Sequence, residues 1–272
     1  MRIIWILLLA TINLGAQNTL KSFSIPNFNA GVITQYNPVL IPDNSVQWAE
    51  NVYFDVDGGA TRRKGISQFN SSVFPDSQPV RGIWPFTADD GTRYILALSS
   101  ETIYRATTSG EFEAISGLSG YSAISDMDAT TLMGKIWFTN GVDSVAWWNG
   151  SSTKTVTEAP IGSLIESYRN RVVIAGKSGE LSNVLMSEEL DGEEWTLGPT
   201  LSGSPVSIKI GGLNGKPIKC MYAGYKDLLW LWTEDETFAV YGFGYNDFAV
   251  RQLSTEVGCI EDKSVQEKDG AL

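Results

Sequence analysis

Five acidic side chains crowd one short stretch of this sequence: Glu188, Glu189, Asp191, Glu193 and Glu194. Paired carboxyl groups hydrolyse glycosides, one as acid and the other as base or nucleophile. Spacing along a chain does not set the distance between two carboxyls in space. A charged loop after a strand has the same composition, and the cluster is read as such a loop. Asp89-Asp90-Gly91 and Glu234-Asp235-Glu236 are acidic turns of a type that calcium can use. Neither has the twelve-residue spacing of a calcium loop, so both are read as solvated turns. The sequence contains no histidine. That removes Ser-His-Asp and Cys-His catalysis and histidine-ligated zinc. The expectation is a protein that is not an enzyme, with no catalytic residue, no metal site and no cofactor.

Other residue types point to contacts rather than to reactions. Arg62-Arg63-Lys64 is a short basic run, suited to pairing with acidic loops of a neighbour or simply to a solvated hairpin end. The formal net charge is −11. A surface of that sign repels phosphate backbones, so sequence-specific binding to nucleic acid is not expected. Trp147-Trp148, next to Asn149-Gly150, could stack on a sugar. Neighbouring strand residues face opposite ways, so one of the two tryptophans is expected in a core. Asn70-Ser71-Ser72 and Asn149-Gly150-Ser151 fit the glycosylation pattern, which occurs often by chance. Cys220 and Cys259 are the only cysteines. They are read as two buried small apolar residues, with a disulfide as the alternative if the chain is exported.

The elements that must position these residues read as β throughout. The chain of 272 residues is 43% hydrophobic and 11% aromatic, with 27 glycines. Such a composition suits aromatic-rich strands joined by tight turns. Residues 1–16 form an apolar leader, too short for a comfortable membrane span and suited to a signal peptide. No stable membrane span is expected once it is removed. Residues 17–80 form an extended N-terminal segment with a hairpin at Asp57-Gly58. Residues 81–272 are periodic. Their central strands start near residues 94, 135, 171 and 228, and the first intervals are about 40 residues, one four-stranded propeller blade. The fold expected is all-β, a partial β-propeller of four-stranded antiparallel blades. Four blades are followed by the opening of a fifth, at Val257 to Ile260 and Ser264-Val265-Gln266. The abrupt end at Leu272 reads as a truncated gene product. The outer face of the fourth unit, including some of Leu229, Leu231, Phe238 and Val240, is expected to be uncovered.

These segments resemble a family. Asn51 to Gly59 followed by Arg62-Arg63-Lys64-Gly65 is similar to the N-terminal segment of tailed-phage virion β-propeller proteins, of the tail nozzle and tail-hub type. Tyr168 to Gly176 resembles the family's recurrent strand. The order continues through Met186-Ser187 with Trp195, Leu228 to Trp232 with Val240-Tyr241-Gly242, and Gly258-Cys259 with Ser264-Val265. The similarity runs from about residue 28 onward.

The resemblance implies a non-enzymatic structural component of a virion, a tail or neck propeller that scaffolds assembly around the DNA channel. The partners it implies are other tail or neck proteins and further copies of the chain in a ring. The apolar leader fits a different location. The alternative is therefore an exported bacterial propeller that binds a glycan or protein at the cell surface.

Overall fold

The computed structural model describes residues 24–25, 27–55, 57–70, 72–122, 126–198, 201–212 and 215–267. The apolar leader 1–16 lies outside them, as do Ala123-Ile124-Ser125, which read as a strand of the second unit in the sequence. The chain divides into two compact units, Met1–Ser67 and Gln68–Leu272. In the first, β1 (Gly31–Val32) and β2 (Ser45–Val46) pair in parallel, and β3 (Val52–Phe54) and β4 (Ala60–Arg62) form the Asp-Gly hairpin. Asp55 organises its turn, accepting hydrogen bonds from the Asp57 and Gly59 amides.

The second unit is four successive four-stranded antiparallel sheets. The first is β5 (Val80–Thr87), β6 (Arg93–Ser99), β7 (Thr102–Ala106) and β8 (Phe112–Ser119). The second is β9 (Asp128–Leu132), β10 (Lys135–Thr139), β11 (Val145–Trp148) and β12 (Thr153–Val156). The third is β13 (Leu164–Tyr168), β14 (Arg171–Ala175), β15 (Asn183–Met186) and β16 (Val206–Lys209). The fourth is β17 (Cys220–Ala223), β18 (Leu229–Trp232), β19 (Thr237–Tyr241) and β20 (Ala249–Ser254). Each sheet is a simple up-and-down meander, and β13 lies beside β9 on one side and β17 on the other. This is the blade architecture of a β-propeller.

The blades are held face to face by three apolar cores. Phe86, Leu96, Leu98 and Ile103 of the first blade meet Ile136, Phe138, Ala146 and Trp148 of the second. Trp137, Val145 and Trp147 on the other side of the second blade meet Ile165, Val172 and Ile174 of the third. Val173, Ala175, Val184 and Met186 meet Leu229, Leu231, Phe238 and Val240 of the fourth. β14 is buried at every position, because odd and even residues enter different cores. A strand covered on both faces reads as an unbroken apolar run rather than as an alternation.

Three expectations are corrected here. Trp147 and Trp148 are both buried, at 8% and 2% exposure, because the second blade has a neighbour on each side. Leu229, Leu231, Phe238 and Val240 are not uncovered: they are the face turned toward the third blade. The opposite face carries Tyr222, Trp230, Ala239 and Arg251, which lie opposite one another across β17, β18, β19 and β20. Ser264-Val265-Gln266 does not open a strand. A short 3-10 turn at Asp262–Ser264 stands there, and it meets β17 through the Asp262 carboxylate rather than through ladder bonds.

Candidate functional site

The first strand of each blade is its innermost, and its outer edge has no ladder partner within the sheet. Side-chain carboxylates meet those edge amides. Asp128, at the head of β9, accepts hydrogen bonds from Ala129 N–H (2.9 Å) and from Ile165 N–H on β13 (2.8 Å). Glu166 on β13 accepts from Ser167 N–H (3.0 Å) and from the Ala223 amide on β17. Asp262, after the last strand, accepts from Met221 N–H on β17 (2.8 Å). Each carboxylate therefore ties one inner strand to the next segment.

The electrostatics of this group are unusual. All three residues are half-buried. Burial, then the charge of Asp262, pushes the Asp128 carboxyl up to about 7. Burial, with the charges of Asp128 and Asp262 adding to it, pushes Glu166 up to about 8. Burial also raises Asp262, while Lys263 opposes the rise. Desolvation and like charge both favour the protonated acid, so Asp128 and Glu166 hold their protons to near neutrality. Among the described residues, no group of three acids, cysteines or histidines is arranged to hold a metal ion.

Beside Glu166 lies a cleft of about 440 Å³, lined by Tyr168, Arg169, Asn170, Ala223, Gly224 and Asp227. Its floor is the β13–β14 hairpin turn, where Arg169 and Asn170 both have positive φ, 51° and 57°. That is the two-residue turn whose twist matches antiparallel strands. Tyr168 Oη donates to Asp227 O at 3.2 Å, and Arg169 Nη2 donates to the same oxygen at 3.2 Å. The Arg169 guanidinium sits over the Phe243 ring at 4.2 Å. These bonds join the third blade to the fourth.

The residues singled out from sequence fall elsewhere and do not converge. In the 188–194 loop, Glu193 turns to the second blade and forms ion pairs with Lys135 (2.9 Å) and Lys154. Lys135 also stands 4.2 Å over the Trp147 ring. Asp191 accepts from Glu193 N–H, and Glu194 from Thr196 N–H, so both shape their own turn. Asp90 accepts from Thr92 N–H, and Asp235 pairs with Lys216. Cys220 is buried and Cys259 half-exposed, with both thiols free. Arg62, Arg63 and Lys64 line a shallow surface depression with Asn51.

Sequence reasoning missed Asp128, Glu166 and Asp262. A signal existed: Glu166 interrupts the otherwise apolar strand Leu164-Ile165, and Asp128 heads the matching strand one blade earlier. No motif links three residues so far apart in the chain.

No family model matches the sequence, and no curated protein matches it. Solved structures similar to the chain include virginiamycin B lyase from Staphylococcus aureus, at 14% identity and a TM-score of 0.44 over 75% of this chain and 62% of that one. Another is the extracellular domain of a hybrid two-component system from B. thetaiotaomicron, at 9% identity and a TM-score of 0.47, covering 70% of this chain and 24% of that one. YCF48 bound to the D1 peptide matches at 11% identity and a TM-score of 0.33, over 69% and 72% of the two chains. The chain thus spans under two thirds of the length of the lyase it matches.

Proposed function

We propose that this protein is a non-enzymatic β-propeller scaffold of a phage virion, a tail or neck component that works by shape and assembles with copies of itself and with other tail proteins. The observation that supports this most is the use made of Glu193. The side chain at the centre of the densest acidic cluster bridges two blades through Lys135 and Lys154. The inner carboxylates do the same work, each holding an amide of an adjoining segment. Side chains of a type that could do chemistry are used as inter-blade fasteners, as a rigid support requires. The net charge of −11 supports it too, since an acidic wall lets nucleic acid pass without adhering.

Labelling tests this reading. An antibody raised against the chain should decorate purified virions at the tail or neck in electron micrographs. Label confined to the bacterial envelope would overturn it in favour of the exported binder. Turnover of a glycoside or ester that Glu166→Gln abolishes would overturn the non-enzymatic part.

A further inference from the structure

We propose that Cys220 and Cys259 are a peroxide-sensitive thiol pair, and that their disulfide locks the segment after the last strand onto the inner strand of the fourth blade. The inference is independent of the virion reading, since it concerns a modification of this chain's own side chains.

Cys220 opens β17 and lies opposite Trp232 of β18, which in turn lies opposite Thr237 of β19. Its side chain is fully buried. Residues 257–262 pass back over this row, held by three hydrogen bonds. Thr237 Oγ1 donates to Val257 O (2.6 Å), Cys259 N–H donates to Thr233 O (2.9 Å), and Met221 N–H donates to the Asp262 carboxylate (2.8 Å). Met221 adjoins Cys220, and Thr233 adjoins its cross-strand partner Trp232. The tethers therefore bracket the two cysteines. Gly258 allows the close passage: a Cβ there would stand 2.3 Å from the Asp235 amide nitrogen.

The result is that two cysteines distant in sequence become side-chain neighbours. Burial does most to hold the proton on the Cys220 thiol, and the adjacent Cys259 thiol adds to it. Bridging requires cysteines whose side chains already face one another. Little else holds the Cys259 side chain. Its Sγ donates to Glu261 O (3.2 Å) and lies 3.4 Å from Ser264 Oγ. A thiol is a weak donor. Glu261 O keeps the Ser264 hydroxyl as a donor (2.6 Å) when Cys259 turns away.

Access divides the roles. Cys259 is half-exposed and Cys220 is buried, so an oxidant meets Cys259 first. Cys259 Sγ attacks one oxygen of hydrogen peroxide. An S–O bond forms, the O–O bond breaks, and the departing hydroxide takes the Cys259 proton to become water. Cys259 is then a sulfenic acid. Cys220 Sγ attacks the Cys259 sulfur. An S–S bond forms, the S–O bond breaks, and this hydroxide leaves as water with the Cys220 proton. The two thiols have given up two electrons and two protons, and one peroxide has become two waters. The ring closed by the bond spans about 40 residues and contains β18, β19 and β20.

The test uses the whole chain, reduced, freed of reductant and treated with a small excess of hydrogen peroxide. Peptide mapping without reductant should find Cys220 joined to Cys259 within one chain. The oxidised protein should melt about 4–16 °C above the reduced protein, the effect of a cross-link of this span. Cys259→Ser, treated alike, should keep Cys220 as a thiol and gain no melting temperature, which also controls for methionine oxidation. Cys220→Ala should stop at the Cys259 sulfenic acid, captured with dimedone. Two thiols that survive peroxide, a Cys259 that runs on to sulfinic acid in the unaltered protein without a cross-link, or a cross-link that forms only between chains or only in denaturant would each overturn the inference.

Discussion

Raising the pH from 5 to 9 should destabilise this protein, and the cause should be Glu166 and Asp128. In the folded chain the two carboxyls hold their protons up to about 8 and about 7, against ordinary values of 4.5 and 3.8. The folded state therefore binds more protons than the unfolded state throughout this window. Stability falls with pH wherever that is so. The contribution is complete below about pH 4 and is lost as pH rises through about 7 to 8. A tenfold difference in proton affinity between the two states is worth about 1.4 kcal/mol. The two acids share one field and are half-buried, so solvent screening brings the combined loss to about 2–3 kcal/mol. For a unit of this size that lowers the melting temperature by about 4–12 °C. No histidine titrates in this window, because the sequence has none. Carboxyls held low by partners, such as Glu193, Glu180 and Asp235, finish titrating below it. Thermal melts at fixed ionic strength from pH 5 to 9 measure the effect. Glu166→Gln keeps an acceptor for the Ser167 and Ala223 amides but cannot ionise, so it should flatten the curve and melt above the unaltered protein at pH 9. A melting temperature that rises steadily from pH 5 to 9, or a Glu166→Gln variant that is less stable at pH 9, would refute the reasoning.

Other expectations follow from single contacts. Arg171 is fully buried, and its guanidinium donates to the carbonyls of Ser187 (2.6 Å), Ser204 (2.9 Å) and Ser202 (2.9 Å). Arg171→Met should cost about 3 kcal/mol or more in a urea titration, because the buried carbonyls of Ser187 and Ser204 lose their donor; a loss under about 1 kcal/mol would contradict this. Glu193→Gln should cost about 1 kcal/mol, and the difference from the unaltered protein should shrink in molar salt, as expected for partly exposed ion pairs. Burial pushes the Cys220 thiol well up, while Cys259 is half-exposed. Mass spectrometry after brief alkylation should therefore find Cys259 modified and Cys220 untouched until denaturant is added; equal labelling of both in the native protein would show that the last segment does not shelter Cys220.

Strand spacing and turn chemistry were legible in the sequence, because both are local. The second strands begin at Arg93, Lys135, Arg171 and Leu229, close to the positions expected from apolar runs and Gly-containing turns. The faces of those strands were not legible. Val172 to Ala175 is apolar at every position, so no alternation says which side meets which blade. The same holds for Leu229 to Trp232, where aliphatic and aromatic residues alternate with equal hydrophobic claim on a core. Only the stacking of neighbours decided that Leu229 and Leu231 are fully covered and Trp230 only half-buried. The acidic loop was visible as composition, but its pairing with Lys135 and Lys154 depends on the third blade lying against the second. Asp128, Glu166 and Asp262 meet for the same reason. Their shifted acidities arise from burial and from one another's charge, and both come into being only when the inner strands converge.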